Sequence, residues 1–311
     1  MSPARSFVAV IAAFQAVALA AGCGFGAGET SEGEVSLTVT RDYGAEPVLS
    51  ATASDPPESE TVMRMLDREA DVETRYGGGF VDSIEGIEGS VFTDGRSYDW
   101  FFYLNGVESE IGAAETTVRG GDRIWWDHRD WTETMRVPAV VGSWPEPFVQ
   151  ATAGSERIAV RVECAGPKEP CAGAEDALGD AGVSAVVTEF GEADPGRSLR
   201  LIVGEWSEIS RDETVALLER GPESSGVFAR YEAGAFSLLD ERGEEAGVGQ
   251  GLVAATRNGA GPPTWIATGT NPDAVLDAVE LLSDDALADR YAVGVSEGEA
   301  LALPVGERGQ G

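Results

Sequence analysis

Between residues 98 and 128 the chain carries two strand-length aromatic runs, YDWFFYL (98–104) and DRIWWDH (122–128). The first is closed by Asn105-Gly106, a hairpin signal. Side chains alternate faces along a strand, so each run must place rings on two faces at once. Trp100, Phe102 and Leu104 share one face with Tyr98, and Phe101 and Tyr103 oppose them. Ile124, Trp126 and His128 share a face, and Arg123, Trp125 and Asp127 take the other. The set containing Trp100 and Trp126 is expected to fill a core beneath a helix. The remaining rings, Phe101, Tyr103 and Trp125, carry roughly 150–250 Å² each. Left bare, they would reach or exceed the roughly 300–600 Å² of the largest apolar patch on an ordinary monomer. Either the rest of the chain covers that face or a ligand does.

The flanking segments suit such a sheet. VSLTVT (35–40) is a β-branched strand, and residues 61–74 space Val62, Met65, Leu66 and Val72 as a helix with Ser59 or Thr61 as its cap. Glycines at 77–79 stop that helix, FVDSIEGI (80–87) is a strand, and the 122–128 strand comes last. The order ββ-α-β-β-β predicts a β-grasp-like domain over 35–136. Residues 137–156 hold three prolines and few helix signals, and read as a linker crossing the surface. Residues 157–305 alternate between strand and helix. Strands are expected at 157–164, 183–190 and 198–206, with helices at 172–182, 212–221 and 271–287, the last capped by Asn271 with Pro272 following. Four short strand-like runs separated by glycine turns precede that last helix, and a hairpin closes the chain. The expected class is α+β: a β-grasp-like domain followed by a mixed α/β sandwich domain, with a disordered tail at 306–311.

Several motifs of the first domain occur together. TVMRMLDRE, GFVDSIEGIEG, DWFFYLNGVE and IGAAETTVRGGDRIWW follow one another, with Gly79-Phe80, Ser83-Ile84, Asn105-Gly106, Gly121-Asp122 and Trp125 in order. Over roughly 35–130 this resembles the transcobalamin-like C-terminal domain found in secreted and lipid-anchored bacterial proteins. The resemblance implies a β domain that covers one face of cobalamin or of another small ligand. The helical toroid that holds the vitamin's other face in the carriers has no counterpart here. Phe101, Tyr103, Asn105 and Trp125 are the candidate ligand-binding residues.

The N-terminus reads as an address. Arg5 is followed by an apolar stretch from Phe7 to Ala20, too short to span a bilayer. It ends LAAGC, with Cys23 last, which resembles the lipobox of bacterial lipoproteins. That resemblance implies a signal peptide over 1–22, lipidation of Cys23, and a flexible acidic tether over 23–34. The protein is then expected outside the cytoplasm, anchored to the outer face of the cell membrane. Cys164 and Cys171 remain, and in an oxidising compartment an isolated pair reads as a disulfide. Two cysteines with a distant histidine make a poor zinc site.

The formal net charge of −32 excludes nucleic acid, whose phosphates must be met by Lys and Arg, and a polybasic membrane patch. His128 is the sole histidine, so no H-E-x-x-H helix exists, and no G-x-S-x-G elbow appears. Lys168, the sole lysine, stands in GPKEP rather than in a P-loop. GVGQG (247–251) precedes a strand and reads as a hairpin turn, not a dinucleotide fingerprint. Asp127, His128 and Asp130 are better read as a charged strand end than as metal ligands. No catalytic residues, metal or cofactor are therefore expected. The expected function is binding, of cobalamin or another small ligand in envelope uptake, with an uptake transporter as partner. The alternative is a structural or protein-interaction lipoprotein without a small ligand.

Overall fold

A computed structural model describes residues 30–75, 78–150 and 158–306. The signal peptide, Cys23, most of the tether, part of the glycine run, residues 151–156 of the linker and the tail from 307 lie outside the described residues.

The first half contains β1 (Glu34–Arg41), β2 (Glu46–Ser54), α1 (Val62–Glu69), β3 (Val72–Arg75), β4 (Phe80–Ile84), β5 (Ile87–Glu88), β6 (Val91–Thr93), β7 (Arg96–Leu104), β8 (Val107–Glu108) and β9 (Arg123–Asp130). The main sheet runs β2-β1-β9-β7-β6, with β8 paired to β7, and β3-β4-β5 form a small sheet beside it. β1 and β9 are parallel, and the other pairings are antiparallel. Helix α1 starts where Thr61 Oγ1 accepts from Arg64 N at 3.2 Å, as an N-cap should. It ends earlier than its spacing predicts. Val72 and Thr74 are β-branched and extend into β3, whose pairing with β4 takes their backbone groups.

α1 buries Val62, Met63, Met65 and Leu66 against Val35, Leu37, Val39, Trp100, Leu104, Ile124 and Trp126. The face expected to form this core therefore does so. Register pairs Tyr103 with Trp125 and Trp100 with His128, which holds the two aromatic sets on opposite faces.

The second half contains β10 (Ala159–Cys164), α2 (Lys168–Asp180), β11 (Val186–Glu189), β12 (Ser198–Glu205), α3 (Trp206–Ile209), a 3-10 segment Val215–Arg220, α4 (Pro222–Ser225), β13 (Ala229–Glu232), β14 (Ala235–Leu239), β15 (Glu245–Gly249), β16 (Gly251–Thr256), β17 (Thr264–Gly269), α5 (Pro272–Glu280), α6 (Asp284–Leu287), β18 (Ala292–Ser296) and β19 (Glu299–Leu303). A seven-stranded sheet runs β11-β10-β12-β17-β16-β18-β19, and β13-β14-β15 make a separate sheet. β10, β11, β12 and β17 are mutually parallel. Parallel strands are covered on both faces, and here α2 and α5 pack on one face while α3, the 3-10 segment and the β13–β15 sheet pack on the other. The molecule is thus α+β with several sheets.

Three helices differ from expectation: α2 begins four residues earlier than expected, at Lys168, and two others change form. The 212–221 helix is a 3-10 segment that gives way to α4 at Pro222. The 271–287 helix breaks after Glu280 and restarts as α6, where Ser283 Oγ accepts from Ala286 N at 3.3 Å. GVGQG joins two strands that belong to different sheets.

The segment 137–150 does not cross the surface as its prolines suggest. Val137, Ala139, Val140, Val141, Trp144 and Phe148 are all buried. Trp144, Phe148 and Trp265 form a mutual aromatic cluster with centroids 5.3–5.8 Å apart. The physical reason is composition: five large or branched apolar groups outweigh a turn-rich backbone when two apolar faces stand on either side. Among the described residues no helix is long and apolar enough to cross a membrane.

Candidate functional site

The structure brings Tyr103 and Trp125 together and closes both to solvent. Their cover is Tyr291, which lies edge-on at 5.7 Å from Tyr103 and 5.2 Å from Trp125. Tyr43, Phe228, Trp206, Val137 and Val140 complete the cluster. Phe101 is half-buried, with the Arg129 guanidinium 3.8 Å above its ring. The second aromatic face is covered by the chain itself, so Phe101, Tyr103 and Trp125 present no open ligand shelf. Asn105 is a turn residue with φ of 54°. Its Nδ2 donates to Asp122 Oδ1 at 2.8 Å, and its Oδ1 accepts from Arg123 N at 2.8 Å. That is the work of a hairpin asparagine, not of a ligand contact.

Asp127 is not a charged strand end. It is fully buried and accepts from Thr40 Oγ1 (2.5 Å), Tyr43 N (3.0 Å), Gly44 N (3.1 Å) and Tyr291 OH (3.0 Å). Trp125 Nε1 donates to Thr40 Oγ1 at 2.8 Å, extending the network. Burial raises the Asp127 carboxyl above its ordinary range, against the pull of these donors. Gly44 lets this turn pack against Asp289 and the Trp125 ring: a Cβ there would lie 1.9 Å from Asp289 O, and its φ is +85°. Sequence reasoning missed this hub because its partners are 83 to 164 residues away. His128 lies in the first sheet, with Nε2 3.0 Å from Glu88 O and its ring against Trp100.

A second site is built by the parallel strands. The chain leaves β10 through α2 towards β11 and later returns as β12 on the other side of β10. α2 packs on one face and α3 on the other. Connections that diverge in this way leave a crevice at the carboxyl ends of the strands, the usual ligand position in open α/β sheets. Here it has a volume of about 1000 Å³. Its walls include Gly166 and Lys168 after β10, Thr188 at the end of β11, Phe190, and Glu208 and Arg211 after β12. The Cys164–Cys171 disulfide expected from sequence is present, with Cα atoms 5.9 Å apart, and pins β10 to the first turn of α2 at this wall. Arg200 on β12 secures the floor strands: its Nη2 donates to Glu163 Oε2 on β10 (2.8 Å) and to Asp212 Oδ2 (2.5 Å).

Thr188 Oγ1 and Glu208 Oε2 are shut off from solvent and have no hydrogen-bond partner among the described residues. The Arg211 guanidinium stands 4.9 Å over the Phe190 ring. In sequence Lys168 stands outside a P-loop and the helix is expected only from 172, so this crevice is not anticipated there; α2 in fact opens at Lys168. Among the described residues no three His, Cys, Asp or Glu side chains converge to hold a metal ion.

Residues 59–129 match the profile of a domain of unknown function (DUF4430). None of the curated proteins compared matches the chain. Among solved structures, the chain is similar to a crystal structure of a candidate metal-binding protein from Ruminococcus gnavus ATCC 29149. Identity is 18%, covering 32% of this chain and 98% of that one, with a TM-score of 0.25. That likeness is too slight to carry an argument about fold or ligand.

Proposed function

We propose that the protein is an extracytoplasmic, lipid-anchored binding protein, not an enzyme, and that it takes a small ligand in the crevice above β10, β11 and β12. The observation that carries this reading is the crevice itself. It combines a switch-point position with a volume at the top of the usual 300–1,000 Å³ ligand range. The transcobalamin-like resemblance supports a β-grasp-like first domain, as does one helix lying across a sheet whose first and last strands are parallel neighbours. The aromatic face that would receive cobalamin is filled by Tyr291 and its neighbours, so the crevice is the better seat for a ligand. Its role is capture outside the cell for an uptake partner.

Thermal-shift screening of a small-molecule set against the wild type and Thr188→Trp tests the reading. A ligand whose stabilisation disappears in Thr188→Trp supports it, and ligands unaffected by that change refute it. Cys23→Ser should move the protein from the membrane fraction to the medium, and unchanged retention would sink the anchor. The protein-interaction alternative is favoured by one feature. β11 is an edge strand with Val186 and Val187 exposed, and such an edge can accept a partner strand.

A further inference from the structure

We infer that the Cys164–Cys171 disulfide is a thiol-exchange site: a dithiol entering the crevice opens the bridge at Cys164, and Cys171 departs as the leaving thiolate. The crevice serves here as the approach to the bridge, independently of any small ligand it seats.

Access separates the two sulfurs. Both cysteines line the crevice, but unequally. Cys164, at the end of β10, is half-buried. Cys171 is 3% exposed and belongs to the core with Ala174 and Leu178. An attacking thiolate must reach the sulfur it attacks, and exposed bridges are the ones that exchange. Attack from the crevice therefore falls on Cys164.

The position of Cys171 suits a leaving group. It is the fourth residue of α2, a helix of 13 residues, and so stands at the positive end of the helix dipole. Pro167, the N-cap, makes no side-chain cap hydrogen bond, so no cap competes for the first N–H groups. Lys168 precedes Cys171 by three positions, which makes them neighbours on the helix surface. A positive helix end and a nearby lysine stabilise a thiolate, and the more stable thiolate leaves faster. The exchange balances. The incoming thiolate bonds to Cys164 Sγ as the Cys164–Cys171 bond breaks, and Cys171 takes the electron pair. The second thiol of the reagent then displaces Cys164. The dithiol is oxidised to a disulfide, and its two protons end on the two reduced cysteines.

Chemistry and charge select the class of reagent. A monothiol stalls as a mixed disulfide on Cys164, because the freed Cys171, with its Cα 5.9 Å away, attacks back. A dithiol resolves that intermediate with its own second thiol. Glu175, Glu189, Glu192 and Glu208 line the crevice against Lys168 and Arg211, which leaves the walls net negative. That charge disfavours an anionic thiol. The bridge spans the Gly166 turn, whose φ is +90°. Reduction thus frees the end of β10 from the first turn of α2 and loosens this wall of the crevice.

The test uses the full exported chain with its bridge intact. The probes are dithiothreitol, cysteamine and glutathione at equal thiolate concentration. Samples are quenched with iodoacetamide, and the peptides holding Cys164 and Cys171 are mapped by mass. Dithiothreitol should release both thiols while near-UV circular dichroism stays native. Its rate in buffer should fall short of its rate in denaturing urea by less than about 10³-fold, the smallest penalty that a need for global unfolding imposes. Cysteamine should leave its adduct on Cys164 and the alkyl group on Cys171, and glutathione should react more slowly than cysteamine. Thr188→Trp, which narrows the crevice, should slow dithiothreitol at least about tenfold by restricting access. Reduction that waits on unfolding overturns the exchange site. So does an adduct on Cys171, or one shared equally between the two cysteines. An unchanged rate in folded Thr188→Trp, or glutathione as fast as cysteamine, overturns the approach through the crevice. The wild-type arms need no variant, so a Thr188→Trp chain that fails to fold leaves the mapping decisive.

Discussion

Glu146 offers the sharpest quantitative check on the packing of the 137–150 segment. It is 3% exposed, its Oε2 accepts from Gln150 N at 2.7 Å, and burial pushes its carboxyl up to about 7 from 4.5. A raised carboxyl means that the folded chain holds this proton more tightly than the unfolded chain. Between pH 4.5 and about 7 the folded state binds more protons, so stability falls as pH rises through that window. Above the window the full cost of burying the charge is present. At 1.36 kcal/mol per unit, a shift of this size amounts to about 3 kcal/mol. Glu146→Gln keeps an oxygen to accept from Gln150 N but carries no charge. Urea unfolding of both proteins from pH 4 to 8 should therefore show the variant gaining on the wild type as pH rises. The difference should grow through the window and level off near 3 kcal/mol above it. Asp122 and Asp127 are also raised by burial, so the difference between the two proteins, not either curve alone, reports Glu146. Parallel curves, or a difference that grows as the solution becomes more acid, would refute the reasoning.

Other outcomes follow from the same contacts. In the full chain Trp126→Ala and Trp125→Ala should each cost about 3–5 kcal/mol, because both rings are buried. In an isolated 35–136 fragment only Trp126→Ala should do so, since the cover on Trp125 comes largely from Tyr291 and its neighbours; denaturant curves of both forms decide it. Tyr291→Phe leaves Asp127 with one donor fewer and should cost about 1.5–3 kcal/mol by denaturation at pH 7. Removing the bridge with Cys164→Ser/Cys171→Ser should cost about 2 kcal/mol on the loop-entropy model, and a thiol label should find no free cysteine in the wild type until reduction.

Much was legible from local pattern. Period-two alternation in 98–104 and 122–128 assigned Trp100 and Trp126 to the core beneath α1 and set Trp125 and Tyr103 apart from it, because strand geometry dictates face from neighbouring residues alone. Thr61 and Asn271 marked helix starts, since a cap acts over three residues. Cysteine count gave the disulfide. What local pattern could not supply was the identity of the second layer. The choice between ligand and chain over Trp125 was made by Tyr291, 166 positions later, and the burial of Asp127 depends on the same residue. The buried course of 137–150 was hidden by its prolines, because its apolar side chains matter only once two faces are brought up to them. The crevice was unreadable for the same reason. Lys168 reads in sequence only as the sole lysine, outside a P-loop, and its neighbours Thr188, Glu208 and Arg211 become a site only when parallel pairing of β10, β11 and β12 aligns three strand ends and sends α2 and α3 to opposite faces of the sheet.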